Sequence, residues 1–154
     1  MSQPEDQQDK PKILLAGGGI AGLSTAMCLA KTGLVHAHVF EQAPSLSAVG
    51  AGIQISPNAS RILIDLGLGE ALDRASVEPE EIRIYNAAKG RLITSLPLGD
   101  TARSRYGAPY YVIHRADLQK LLLDAVSRTV GISVSYDTNI DELATHSRGI
   151  TIQT

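Results

Sequence analysis

Four glycines within six residues, Gly17-Gly18-Gly19-x-x-Gly22, contain the spacing Gly17-x-Gly19-x-x-Gly22 and separate a short apolar run from a segment with helical spacing, and no other feature restricts the fold so strongly. Residues 12–16 (KILLA) follow Pro11 and read as a buried parallel strand. Residues 20–32 place Ile20, Leu23, Ala26, Met27 and Ala30 at helical spacing, with Lys31 in the last turn and Gly33 behind it as a stop. Residues 35–41 alternate, with Val35, Ala37 and Val39 on one face, and predict a second strand. Strand, tight turn, helix and strand inside residues 12–41 have the size of one βαβ unit.

Each glycine has a physical reason in such a unit. Gly17 permits the sharp exit from the strand. Gly19 has no Cβ, so a pyrophosphate can approach the backbone. Gly22 lets the helix lie close to the sheet, and Ala26, one turn later, keeps that contact close. The helix N-terminus offers unpaired N–H donors and about half a positive charge to phosphate oxygens. Glu41 ends the second strand 19 residues after Gly22, where a carboxylate accepts from a ribose 2′-hydroxyl and repels a 2′-phosphate. The alternative for Glu41 is a solvated carboxylate at a strand end. Together these features predict a Rossmann-like α/β fold that binds a dinucleotide.

Beyond the βαβ unit the pattern is mixed. Residues 43–57 are rich in Gly, Ser and Pro and read as a long loop. Residues 57–66 and 70–74 read as helices, 81–85 and 91–96 as strands around a turn at Ala88-Lys89-Gly90, and 99–108 as an irregular connection. A strand at 110–113, a well-patterned helix at 115–128, a strand at 132–136 and an alternating run from Ile150 complete the reading. The expected sheet is therefore mixed.

Composition excludes several classes. Aromatics are 4%, with no Trp, which leaves no stacking platform for single-stranded nucleic acid. A net charge of −2 provides no basic surplus to track a phosphate backbone. Cys28 is the single cysteine, so there is neither an intramolecular disulfide nor a cysteine-cluster metal site. Residues 1–11 are polar, lack an apolar core and read as a disordered tail rather than a signal. No apolar run is long enough for a membrane span, and cytoplasmic residence is the default expectation.

Two further segments separate FAD from NAD. Residues 49–59, Val-Gly-Ala-Gly-Ile-Gln-Ile-Ser-Pro-Asn-Ala, and the block His114-Arg115-Ala116-Asp117-Leu118 resemble, with the glycine turn and Glu41-Gln42, the N-terminal part of FAD-dependent aromatic hydroxylases. These are single-component flavin monooxygenases of the salicylate hydroxylase-like type. The resemblance covers the chain from residue 12. It implies that Gly17, Gly19 and Gly22 hold the FAD pyrophosphate, that Glu41, with Gln42 beside it, binds the adenosine ribose, and that Gly50, Ala51 and Gly52 run along the flavin. Arg115 would make a polar contact to the cofactor. The alternative for Arg115 is an exposed residue opening a helix, where a cation is mildly unfavourable. The resemblance also implies NAD(P)H as transient electron donor, O2 as co-substrate and a small aromatic substrate that gains one oxygen atom.

The chain departs from the family pattern because no Asp-Gly pair occurs in it and its Gly-Asp pair, Gly99-Asp100, lies in the wrong context for the later Gly-Asp block. Residues 12–154 are accordingly expected to be a truncated N-terminal portion of the FAD-binding monooxygenase domain, without full catalytic capacity alone. Its unfinished sheet would favour a protein partner or self-association. Two other functions stay open: a non-catalytic FAD- or nucleotide-binding module that pairs with another chain, and an NAD-dependent reductase, against which residues 49–59 argue. No catalytic base is identified. Arg61 either lines the active site or is solvated, His114 reads as packing or capping, and His36 and His38 lack the partners of a metal site. Cys28 reads as a small buried hydrophobe.

Overall fold

The computed structural model describes residues 10–45 and 51–154, so Gly50 and most of the expected tail lie outside the described residues. In chain order the elements are β1 (Lys12–Ala16), α1 (Ile20–Lys31), β2 (His36–Phe40), β3 (Gly52–Ile55), α2 (Pro57–Leu63) and α3 (Gly69–Ala75). Then follow β4 (Ser76–Val77), β5 (Glu81–Tyr85), β6 (Leu92–Pro97), α4 (Gly99–Tyr106), β7 (Tyr111–His114), α5 (Arg115–Arg128), β8 (Ile132–Ser135), β9 (Glu142–His146) and β10 (Gly149–Gln153). They fall into two compact units, Met1–Ser47 with Leu122–Thr154, and Ala48–Leu121.

The first unit is built on a parallel sheet of order β1-β2-β8. The expected βαβ start is present, with β1 and β2 parallel and Ala16 level with Phe40. Helix α1 packs against all three strands. Its small, apolar face makes this close: Ala26 is fully buried with Ala37 and Val39, and Leu15, Leu29, Ile132 and Val134 pack around them. The alternation of residues 35–41 thus points Ala37 and Val39 into the core. His38, on the other face, is stacked on Phe40 and hydrogen-bonded through its two ring nitrogens to Ser135 and Ser133. Burial, and then the charge of Lys12, lower its pKa. Strands β9 and β10 form a separate antiparallel hairpin.

The second unit carries a three-stranded antiparallel sheet of order β3-β7-β4 and the hairpin β5-β6. Pro57 at the first position of α2 presets the helical φ. After α2 the chain kinks through Ile64–Leu68, where Gly67 takes φ 85°, and re-enters a helix as α3. The core of this unit includes Ile55, Leu63, Leu72, Ile113 and Leu118. Ser60 is fully buried, and its hydroxyl donates to the Pro109 carbonyl at 2.6 Å, tying α2 to the segment that leads into β7. Ser60→Ala leaves that carbonyl without its donor and should cost about 1–2 kcal/mol, read as a lower urea midpoint at unchanged slope.

Three expectations need correction. The segment read as one loop over 43–57 contains β3, whose backbone pairs with β7 from Gly52↔His114 to Ile55↔Tyr111. The connection over 99–108 is largely helix α4, closed by Gly107 at φ 72°. Cys28 is exposed on α1 rather than buried.

Candidate functional site

All three strands of the parallel sheet end at one level, because Ala16 pairs with Phe40 and Phe40 with Ser135. The residues that follow, Gly17, Glu41 and Tyr136, therefore emerge along one edge. In parallel α/β sheets ligands bind at this carboxyl edge. The ladder continues past the strand ends: the Gly17 N–H donates to the Phe40 carbonyl at 2.7 Å, and the Glu41 N–H to the Ser135 carbonyl at 2.8 Å.

The fold needs two of these three glycines, each for its own reason. Gly17 adopts φ 97°, which side-chain-bearing residues rarely take. At Gly22 a Cβ would overlap the Gly17 carbonyl oxygen and stand 3.1 Å from its carbon, so the helix could not approach the strand end. Gly19 is under neither restriction. Its backbone is extended at φ −70°, and a Cβ there would meet nothing within 4 Å. The fold does not require glycine at this position; open space above its backbone is what a phosphate needs.

Gly19 is the N-cap of α1 and supplies no side-chain cap. The Leu23 N–H closes the first helical bond onto the Gly19 carbonyl at 3.0 Å. The N–H groups of Ile20, Ala21 and Gly22 thus have no intrahelical acceptor. Three unpaired donors at a positive helix end are the groups that a phosphate can use.

Glu41 is placed beside this turn by β2. One carboxylate oxygen accepts from the Gly18 N–H at 2.7 Å, the other from the Ala43 N–H at 2.9 Å. Ala16, Gly17, Glu41, Gln42, Asn139 and Ile140 line a cavity of about 300 Å³. The loop after β8 closes one side of it: the Thr138 N–H donates to the Glu41 carbonyl at 3.0 Å and the Asp137 N–H to the Ala43 carbonyl at 3.1 Å. Asp137 sits at φ 50°, the one non-glycine positive φ among the described residues. Burial, and then the charge of Glu41, push the Tyr136 phenol up and keep it neutral. Asn139 is oriented by its donation to the Asp141 carboxylate at 2.6 Å. Tyr136, Asn139 and Ile140 escaped the sequence reading.

In the second unit two of the singled-out segments lie side by side. Gly52 pairs with His114, and the Arg115 N–H donates to the Ala51 carbonyl at 3.1 Å. Ala51, Gly52 and Arg115 are exposed, and a Cβ on Gly52 would meet nothing within 4 Å. His114 is exposed at the end of β7, and Arg61 is exposed with its guanidinium reaching the Tyr106 carbonyl at 3.4 Å. Gly50 lies outside the described residues.

The second unit also holds a larger cavity, of about 420 Å³, lined by Glu78, Glu80, Asp100 and Arg103 among others. Its guanidinium is already committed. Arg103 makes a two-pronged pair with Glu78, at 2.8 Å for one of the contacts, and Glu78 holds the Arg103 proton more firmly than usual. Three carboxylates around one neutralised cation repel an anionic ligand, so size alone does not identify the site.

Residues 10–153 match the family described as FAD binding domain. The chain is 49% identical over 111 residues to a 3-amino-4-hydroxybenzoate 2-monooxygenase of Streptomyces cremeus, covering 72% of this chain and 28% of that protein. It is 41% identical over 117 residues to a 3-hydroxybenzoate 6-hydroxylase of Polaromonas naphthalenivorans strain CJ2, covering 76% of this chain and 29% of the relative. A crystal structure of a Klebsiella pneumoniae HpxO variant complexed with FAD superimposes with a TM-score of 0.78 at 25% identity, over 92% of this chain and 35% of the other. The chain thus spans about a third or less of the length of these proteins. No helix among the described residues is long and apolar enough to cross a membrane.

Proposed function

The chain belongs to the FAD-binding-domain family of aromatic-ring monooxygenases, and from that premise we propose that it provides the FAD-binding part of a hydroxylase acting on a small aromatic substrate with NAD(P)H and O2. When bound, FAD supplies the electron relay from NAD(P)H and the transfer of one oxygen atom to the ring. The chain's own residues bind and orient. The free N–H groups at the start of α1 take the pyrophosphate over Gly19, between Gly17 at its positive φ and the tightly packed Gly22. The lone pairs left on Glu41 take the ribose hydroxyls, while Gln42, Asn139 and Ile140 line the space beyond. By the resemblance, the segment of Gly50, Ala51 and Gly52 would run along the flavin, and Arg115 would offer it a guanidinium that makes no hydrogen bond or ion pair among the described residues. Substrates resembling 3-hydroxybenzoate or 3-amino-4-hydroxybenzoate are the first to try, since those words stand in the names of the relatives. A cytoplasmic setting suits the use of NAD(P)H.

The observation that carries the proposal is Gly19: glycine where the fold does not ask for one, beneath open space and beside three unpaired donors. Titration of the purified chain with FAD, FMN and NAD, followed by gel filtration, tests it. FAD should be retained, whereas FMN, which lacks the adenosine and the pyrophosphate, should wash out. NAD retained in preference to FAD would overturn the FAD reading and favour the NAD-dependent reductase.

A module that pairs with another chain is the second reading. It draws support from the exposed Ile84, Tyr85, Leu92, Ile93 and Leu96 of the β5-β6 hairpin. Hydroxylation restored by a second polypeptide would favour it.

A further inference from the structure

Glu41 has more to do than its place at the end of β2 announced. Gly18 is buried, and its N–H donates to the Glu41 carboxylate at 2.7 Å. The other carboxylate oxygen holds the Ala43 N–H at 2.9 Å. One side chain thus ties the glycine turn after β1 to the segment after β2. Both bonds are charge-assisted. The first joins residues that the βαβ connection separates by 23 positions, and the second is local, between residues two apart.

The turn's amides are divided by this arrangement. Gly17 is used by the Phe40 carbonyl and Gly18 by Glu41. The N–H groups of Ile20, Ala21 and Gly22 are left over, and they face out of the helix end. A carboxylate offers about four lone-pair positions. Two are taken by backbone, and two remain for a vicinal diol.

We propose that Glu41 is a positioning residue that latches the glycine turn into its phosphate-binding shape before any nucleotide arrives. It is a ribose acceptor only with its remaining lone pairs. This rests on the FAD-binding reading for its ligand, while the latch itself belongs to the free protein. The latch also explains why acid and turn must act together: with Gly18 released, the donors at the start of α1 are no longer held at one spacing, and the pyrophosphate loses a rigid seat as well as the ribose losing an acceptor.

Glu41→Gln is the informative change. A carboxamide has a single acceptor oxygen, so its NH2 would face the N–H of either Gly18 or Ala43, donor against donor. Amide hydrogen exchange in the nucleotide-free chain, resolved at Gly18, should find that amide as protected in the wild type as its neighbours in β1 and β2. Exchange at Gly18 should accelerate about tenfold or more in Glu41→Gln. Affinity should fall about tenfold or more for FAD. It should fall as well for an FAD analogue whose adenosine lacks the 2′- and 3′-hydroxyls, because the seat itself has loosened.

Rapid exchange of wild-type Gly18, or unchanged exchange in the variant, overturns the latch. So does a loss confined to FAD and absent with the dideoxy analogue, which would leave Glu41 as a ribose acceptor alone. Should Glu41→Gln fail to fold, Glu41→Asp, too short by one methylene to span both amides, and the wild-type Gly18 amide decide the matter. A wild type that protects Gly18 yet binds no FAD refutes the proposed function and keeps the latch.

Discussion

Gly19→Val should abolish retention of FAD and leave the folded chain nearly as stable as before. The two halves of that result come from the same geometry. A side chain at residue 19 meets no protein atom within 4 Å, and its extended backbone suits any residue. The stability change is therefore limited to the modest preference for glycine over valine at an N-cap, about 1 kcal/mol or less. The branched side chain would occupy the space over the first unpaired amides of α1, where the phosphates are expected. Affinity should fall about 100-fold or more, equivalent to about 3 kcal/mol. Fluorescence titration with FAD and a thermal melt of the same preparation check both halves. Unchanged affinity would remove the glycine turn from the cofactor site, and a large fall in Tm would show that Gly19 serves the fold.

Gly22→Ala should do the reverse and damage the fold first. In a helix interior, alanine is ordinarily better than glycine by about 1 kcal/mol. Here the new Cβ would lie on the Gly17 carbonyl oxygen and close to its carbon, and both atoms are backbone. No side chain can rotate away, so α1 must shift off the end of β1. Overpacking of this kind costs about 3 kcal/mol. Subtracting the gain in helix propensity leaves about 2 kcal/mol of destabilisation. For a chain of this length that corresponds to a Tm lower by about 4–8 °C. FAD affinity should fall in parallel, because moving α1 also moves its N-terminal donors. A melt and a titration performed together separate the two glycines: Gly19 should lose the ligand and keep the fold, whereas Gly22 should weaken both. A Gly22→Ala chain that melts like wild type would show that helix and strand can relax apart at little cost.

Much of the first unit was legible in the chain. The run before Gly17 forms β1 at residues 12–16 as read, α1 begins at Ile20, and Ala26, Ala37 and Val39 are the buried positions that their spacing required. Helix α5 and the β5-β6 hairpin were legible too, from a strong apolar stripe in one case and a glycine turn between β-rich runs in the other. The elements that were missed share a cause. Strand β3 lies in a stretch dense in Gly, Ser and Pro and owes its existence to pairing with β7, some 60 residues away. Helix α4 buries Ala102 alone and has no apolar stripe to announce it. Strand β9 is exposed along its whole length, so no alternation of apolar and polar residues marks it; its partner β10 defines it.

The candidate site divides in the same way. Gly17, Gly19, Gly22 and Glu41 belong to one βαβ unit, where spacing along the chain becomes position in space through a single turn of known shape. The sequence by itself was therefore enough to bring the acid to the glycines, while the pyrophosphate and the ribose belong to the proposed function. Tertiary structure alone decided that β8 stands beside β2, which carries Tyr136, Asn139 and Ile140 to the same edge from nearly 100 residues further on. It alone decided that Glu41 spends half its lone pairs on Gly18 and Ala43. The physical reason is that local backbone geometry is written in neighbouring residues, whereas the pairing of distant strands and the destination of a side-chain hydrogen bond depend on which surfaces bury each other after the chain has collapsed.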